Sequence, residues 1–202
     1  MEAFIPEDIK RIPLVTTGIP KRGELTEDGL NFWQASRRLS LQIGKEIAPN
    51  KNFAQFGVYR GESAKWLIDG CETLHLFDSF DGLPVDWSEK FKKGHFACDV
   101  PHFNDDRVTI VKGWFKDTVM DYYFDKFGLV NMDADLYDST QDVLYNMSVF
   151  VGQIFVFDEL YNIPYSEHHE YKAFKEWVEY FDIKWEGIAR TPYAQVVIRI
   201  TG

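Results

Sequence analysis

Apolar runs of strand length that alternate with helical periods constrain this chain more than any other feature. The runs are "NFAQFGVY" (52–59), "TLHLFDSF" (73–80), "RVTIVKGW" (107–114), "GLVNMDAD" (128–135) and "QIFVFDE" (153–159). "SAKWLIDG" (63–70), "KDTVMDYYFDKF" (116–127), "STQDVLYNMSVFV" (139–151) and "SEHHEYKAFKEWVEYF" (166–181) read as the helices that follow them. A long polar stretch, 81–106, interrupts the series once. Strand and helix in alternation predict a doubly wound α/β fold, a parallel sheet with helices on both faces. The last two strand-like runs, "IKWEGIAR" (183–190) and "YAQVVIRIT" (193–201), are separated only by "TP". So short a link joins antiparallel strands but not parallel ones.

Ahead of this core lies "TEDGLNFWQASRRLSLQIGKEI" (26–47), an amphipathic helix with Phe32, Leu39, Ile43 and Ile47 on one face and Thr26 as N-cap. Leu30, Trp33 and Leu41 lie off that line, so the stripe is broad or the helix is buried on two sides. Its aromatic face suits the core and a second copy of the chain equally well, which leaves a homo-oligomer open. The first 26 residues, rich in Pro and Gly, are expected to wrap the surface. Ser139 and Asp142 have capping-box spacing, with Asp in place of the usual Glu. The expectation is one domain over 1–202, an extension and helix (1–48) followed by a ligand-binding core (49–202).

Composition supports a full core, with 45% hydrophobic and 16% aromatic residues among 202. The net charge of −10 argues against a nucleic-acid partner or an anionic membrane surface. The local exception is "EKFKKGH" (89–95), where Lys90, Lys92 and Lys93 form either a solvated loop or a contact for an anionic part of a substrate. Two cysteines, Cys71 and Cys98, make neither a disulfide framework nor a zinc site and fit a reducing compartment. "MEAFIPEDIKRIP" has no signal-peptide pattern, and no apolar run approaches the ~20 residues that span a bilayer. A cytoplasmic location is expected.

In open parallel sheets ligands sit at the carboxyl ends of the strands. The first strand ends in "GVYRGES" (57–63), where Gly57 and Gly61 allow a tight turn and close backbone approach before a helix. The spacing is not G-x-G-x-x-G, and no P-loop Lys is present. The second strand ends at Asp78, about twenty residues on, which is placed to accept hydrogen bonds from ribose hydroxyls or to cap its own turn. The third ends in "KGWF" (112–115), where Trp114 and Phe115 flank an adenine or pack in the core. The fourth and fifth strands end in acids: Asp133 and Asp135, then Asp158 and Glu159. Clustered carboxylates repel one another, and Mg²⁺, which takes oxygen ligands, resolves the clash; a solvated acidic rim is the plainer alternative. Asp138, just ahead of a helix, suits its cap and dipole.

Taken in order, "FGVYRGESA", "LFDSFDGLPVDW", "GHF", "VKGWFKDT", "DADLYDST" and "VFDEL" resemble the metal-dependent class I methyltransferases of the macrocin O-methyltransferase type, which use S-adenosylmethionine. The resemblance runs from about residue 50 to 175 and more weakly to the end. It implies a Rossmann-like seven-stranded sheet in the order 3-2-1-4-5-7-6 with strand 7 antiparallel. It implies cofactor contacts at Phe56, Gly57, Tyr59, Gly61, Ser63, Asp78, Ser79, Phe80, Gly113, Trp114, Phe115 and Asp133, with Mg²⁺ on Asp133, Asp158 and Glu159. The catalytic set would be Asp133, Asp135, His168 and His169, acting on a small hydroxylated acceptor such as a sugar or sugar-bearing metabolite. Mg²⁺ would lower the pKa of bound hydroxyls, and Asp135, His168 or His169 would take the proton. Residues 1–25, 81–106 and 161–168 are the lids expected over such a site. Gln55 stands where the family usually has an acid, and Glu159 is longer than the usual Asp or Asn.

Other readings remain at this level. His168 and His169 also fit an ordinary helix surface beside Glu167 and Glu170, and "HHEYK" is not the H-E-x-x-H of a zinc protease. "DADLY" ends a strand in D-x-D, as a metal-dependent glycosyltransferase does. A phosphatase would need that motif on its first strand. A binding protein on the same fold, without turnover, is the non-enzymatic alternative.

Overall fold

The computed structural model describes residues 4–123, 125–163 and 166–202. Its elements run α1 (Glu7–Lys10), α2 (Phe32–Ile47), β1 (Asn52–Phe56), α3 (Glu62–Ile68), β2 (Thr73–Asp78), β3 (Val108–Lys112), α4 (Phe115–Thr118), β4 (Leu129–Met132), α5 (Tyr137–Leu144), β5 (Ile154–Phe157), α6 (Glu170–Tyr180), β6 (Trp185–Arg190) and β7 (Val196–Ile200). The strands form one sheet in the order β3-β2-β1-β4-β5-β7-β6. β1 to β5 pair in parallel, while β7 runs antiparallel to both β5 and β6. This is the doubly wound sheet and closing hairpin expected from the sequence.

Successive side chains of a strand point to opposite faces, and both faces here are covered. Ala54, Val130, Phe155 and Phe157 join Val143 and Leu144 of α5 and Phe174 and Trp177 of α6 in one core. Phe53, Leu129, Ile154 and Val156 join Leu41 of α2 and Ala64 and Leu67 of α3 in the other. β4 and β5 are buried along their whole length, which is why they read as unbroken apolar runs.

Helix ends depart from the sequence reading for local reasons. α2 starts after Asn31, not Thr26. The Asn31 side chain accepts the Gln34 N–H at 3.0 Å and the Gln34 side chain accepts the Asn31 N–H at 3.2 Å, a complete capping box. Thr26 instead closes a turn, its hydroxyl accepting the Leu30 N–H at 2.8 Å. The buried face of α2 is Ala35, Ser36, Ser40, Leu41 and Gly44, small residues that bring the helix close to the sheet. The expected stripe of Phe32, Leu39, Ile43 and Ile47 is only half-buried. α5 begins at Tyr137, so Ser139 and Asp142 lie inside it and form no capping box. The expected helix over 116–127 is one α turn followed by a 3-10 turn, Val119–Tyr122. A second 3-10 turn, Ser166–His168, replaces the start of the expected last helix.

The amino-terminal segment does more than wrap. Ile9 and Ile12 are buried in the core. Val15 donates its N–H to the Arg190 carbonyl at 2.9 Å, and Arg190 donates back to Pro13 at 2.8 Å. No helix among the described residues is long and apolar enough to cross a membrane.

Candidate active site

A cavity of about 930 Å³ opens at the carboxyl ends of β1, β2, β4 and β5. That is the upper part of the ~300–1,000 Å³ range of small-molecule sites. Its wall includes Gly57, Tyr59, Asp78, Ser79, Gly113, Trp114, Phe115, Asp133, Asp135 and Glu159, ten of the residues singled out in the sequence.

The turn after β1 is built tightly. Gly57 sits at φ +86°, and a Cβ there would lie 1.8 Å from the Asp133 carbonyl oxygen. The glycine therefore serves the approach of β4 as much as that of a ligand. At Gly61 a Cβ would meet the Phe103 ring at 2.6 Å. Asp78 fastens the same turn: one carboxylate oxygen accepts the Val58 and Tyr59 N–H groups at 2.7 and 2.9 Å, and the other accepts the Phe80 N–H at 2.8 Å. Three donors leave part of the carboxylate's acceptor capacity for a ligand. Gln55, fully buried, donates to the Gly57 carbonyl and to the Ser63 hydroxyl, each at 2.8 Å. Ser63, Phe56 and Phe80 are buried behind the turn, and they and Gly61 are not part of the cavity wall.

The acids at the tips of β4 and β5 meet as the topology requires, and a residue not singled out in the sequence meets them. The Arg37 guanidinium, from α2, donates through Nε to Asp158 Oδ1 at 2.8 Å and through Nη2 to Asp158 Oδ2. It also reaches Asp133, Nη2 to Oδ1 at 3.3 Å and Nη1 to Oδ2 at 3.2 Å. Gln195 donates to Asp158 Oδ1 at 3.0 Å. Burial works against the Arg37 charge, but Asp133 and Asp158 outweigh it and hold its pKa above the ordinary value. The Trp33 ring, one turn earlier on α2, lies 4.4 Å from the guanidinium carbon.

Burial, with Asp158 adding to it, pushes the Asp135 carboxyl up to about 7. Asp135 also holds φ +59°, a left-handed backbone at the strand end. Burial, then Asp135 and Asp158, raise Glu159 well above the carboxylate range, and its Oε2 has no hydrogen-bond partner. Glu170 on α6 ties the two tips together, accepting the Ala134 and Glu159 N–H groups at 3.1 Å each. Burial pushes Glu170 up to about 8.

This arrangement does not fit the expected Mg²⁺ on Asp133, Asp158 and Glu159. The arginine fork takes up the space between the two aspartates. Among the described residues no group of three or more His, Cys, Asp or Glu side chains could hold a metal ion.

The histidines fall outside the cavity wall. His168 is 69% exposed and lies 3.9 Å from Glu167. His169 stands at the N-cap position of α6 without a side-chain capping bond and packs edge-on against Trp87 with ring centroids 6.3 Å apart; burial lowers its pKa. The polar stretch 81–106 supplies Trp87, Phe91, Phe96, Lys90 and Lys93 to the wall, while Lys92 pairs with Asp86 at 3.0 Å. Ile163 lines the same cavity, but the proposed lid over 161–168 includes residues 164 and 165, which lie outside the described residues, as do residues 1–3 of the amino-terminal one. Trp33, Arg37, Glu170 and Tyr193 carried no signal of their own in the sequence, because each reaches the site from another element.

Residues 45–179 match the macrocin O-methyltransferase (TylF) family. The chain is 28% identical over 122 residues to the 8-demethyl-8-(2,3-dimethoxy-alpha-L-rhamnosyl)-tetracenomycin-C 4'-O-methyltransferase of Streptomyces olivaceus, covering 48% of this chain and 47% of that protein. It is 36% identical over 116 residues to the mycinamicin III 3''-O-methyltransferase of Micromonospora griseorubida, covering 44% and 46%. These matches thus span about half the length of both curated relatives. Among solved structures, the O-methyltransferase NovP superposes with a TM-score of 0.64 at 25% identity, over 85% of this chain and 81% of that one. By its match over residues 45–179, the chain belongs to the macrocin O-methyltransferase family.

Proposed function

We propose that this chain transfers a methyl group from S-adenosylmethionine to a hydroxyl of a small acceptor, a sugar or sugar-bearing metabolite. The observation that carries the reading is the Asp78-braced glycine turn opening into the same cavity as Asp135. Family membership supports the reaction, and the sugar-modifying relatives support the acceptor class.

The residues divide the work by position. Asp78 has acceptor capacity left for ribose hydroxyls, and Trp114 and Phe115 offer faces for an adenine. Bound S-adenosylmethionine supplies a methyl group on a sulfonium, which needs no further activation. The chain's contribution is therefore orientation and exclusion of water, for which Trp33, Trp87, Phe91 and Phe96 line the cavity. Asp135 is the base favoured by geometry: it lines the cavity and takes up a proton near neutral pH, whereas His168 and His169 stand outside. Lys90 and Lys93 suit an acceptor that carries an acidic group.

Titration calorimetry with S-adenosylhomocysteine, and with UDP as comparison, tests the reading. Micromolar binding of the adenosyl ligand alone is expected. Binding of UDP without the adenosyl ligand would turn "DADLY" into a sugar-nucleotide site and overturn it. Adenosyl binding with no turnover of any hydroxyl acceptor would favour a binding protein.

A further inference from the structure

We propose that Arg37 takes the place of a divalent cation between Asp133 and Asp158, so that this chain binds no Mg²⁺ at its strand tips and needs none. The role toward the acceptor rests on the methyl-transfer reading; the exclusion of the ion does not.

The case starts from Asp158, which is 1% exposed. Its Oδ1 accepts from Arg37 Nε and Gln195 Nε2, and its Oδ2 accepts from Arg37 Nη2. A ligand oxygen must aim a lone pair at its ion, and Mg²⁺ demands near-octahedral geometry at about 2.0–2.1 Å. Here the lone pairs are directed at a guanidinium instead. Asp133 presents both of its oxygens to the same fork. A planar guanidinium matches a carboxylate in this two-point way and stays charged at every physiological pH. The acids that would have called for an ion therefore have their cation within the chain.

The arginine is held rather than swung in. Trp33 stacks on it from the same helix, and its side chain is only 13% exposed. A divalent ion seated between Asp133 and Asp158 would have to displace the guanidinium from both carboxylates.

A guanidinium carries five N–H donors. Three are hydrogen-bonded to Asp133 and Asp158, which leaves Nη1, in ion-pair contact with Asp133 Oδ2 at 3.2 Å, with N–H groups to offer at the wall of the cavity. Nη1 can donate a hydrogen bond to the acceptor oxygen in the cavity that Arg37 lines. The chemistry balances without an ion: the hydroxyl proton passes to Asp135, the O–CH₃ bond forms as the S–CH₃ bond breaks, and the sulfonium leaves as a neutral thioether.

Mn²⁺ followed by electron paramagnetic resonance is the probe, because free and bound ion give different signals without any turnover. Wild-type protein should bind no Mn²⁺ at millimolar ion, and its affinity for S-adenosylhomocysteine should be the same in EDTA. Arg37→Ala should acquire one Mn²⁺ site, and adding Asp158→Asn should remove it. Arg37→Met, which keeps an apolar stem against Trp33, replaces the alanine variant if that one does not fold. Stoichiometric Mn²⁺ on the wild type, lost on Asp158→Asn, would overturn the proposal. So would a folded Arg37 variant that gains no site. Loss of adenosyl binding with the Mn²⁺ results as expected would sink the methyltransferase reading and leave the assignment of Arg37 standing.

Discussion

Gly57 and Asp135 show how much of this site is decided residue by residue. At Gly57 a side chain meets the Asp133 carbonyl in a backbone conformation that L residues avoid. Gly57→Ala should displace the tip of β4, and its cost should exceed the roughly 1 kcal/mol typical of a point mutant, read as a lower melting temperature together with weakened adenosyl binding. Asp135→Asn keeps shape and burial but cannot accept the acceptor's proton. It should lower kcat by about 10²–10⁴-fold, the range for loss of a general base, with S-adenosylhomocysteine affinity unchanged by calorimetry. An unchanged kcat would move the base elsewhere. Both positions were legible in the sequence, as a glycine and an acid at strand ends. Arg37 was not. Nothing in "ASRRLS" separates it from Arg38, which pairs instead with Asp28 near the protein surface.

Among the elements, α2 and β2 carry the consequences. α2 presents Trp33 and Arg37 to the site, and its register depends on the Asn31–Gln34 capping box. Asn31→Ala should cost about 1 kcal/mol of stability, measured by denaturant unfolding. His75 on β2 packs against Tyr122 and Phe127 at centroid distances of 5.3 and 5.4 Å. Burial lowers its pKa, with Asp125 opposing. The folded state therefore binds fewer protons than the unfolded chain, whose histidine titrates near pH 6.5. His75 is neutral and without penalty above that value, and stability drains away as pH falls through it toward the folded pKa. His75→Phe should flatten the melting-temperature slope between about pH 7 and 5; an unaltered slope would show that other groups dominate it. The central strands were readable from apolar runs, because β4 and β5 are buried on both faces and leave no polar side to blur them. Helix starts were not, because Thr26 and Asn31 are both good caps and only the turn closed by Leu30 decides between them.

Over the whole molecule, the amino-terminal segment locks the sheet edge. Ile9 is fully buried, and Ile12 fills the gap left by Gly187. Ile9→Ala should lower unfolding free energy by about 2–5 kcal/mol, where a mere surface wrap would lose little. The segment's apolar residues are too sparse to announce this, since burial there depends on a pairing with Arg190 far along the chain. By itself the sequence determined the alternation of strands and helices, the closing hairpin and the placement of glycine, Asp78 and the paired acids at strand ends. These follow from local periodicity and from the rule that parallel strands share one carboxyl edge. Tertiary structure alone decided which charge meets those acids. Arg37 lies 96 residues from Asp133 and 121 from Asp158 in the chain. A charge pair over such separations is set by how α2 packs on the sheet, through the small residues Ala35, Ser36, Ser40 and Gly44, and not by any pattern around the arginine itself.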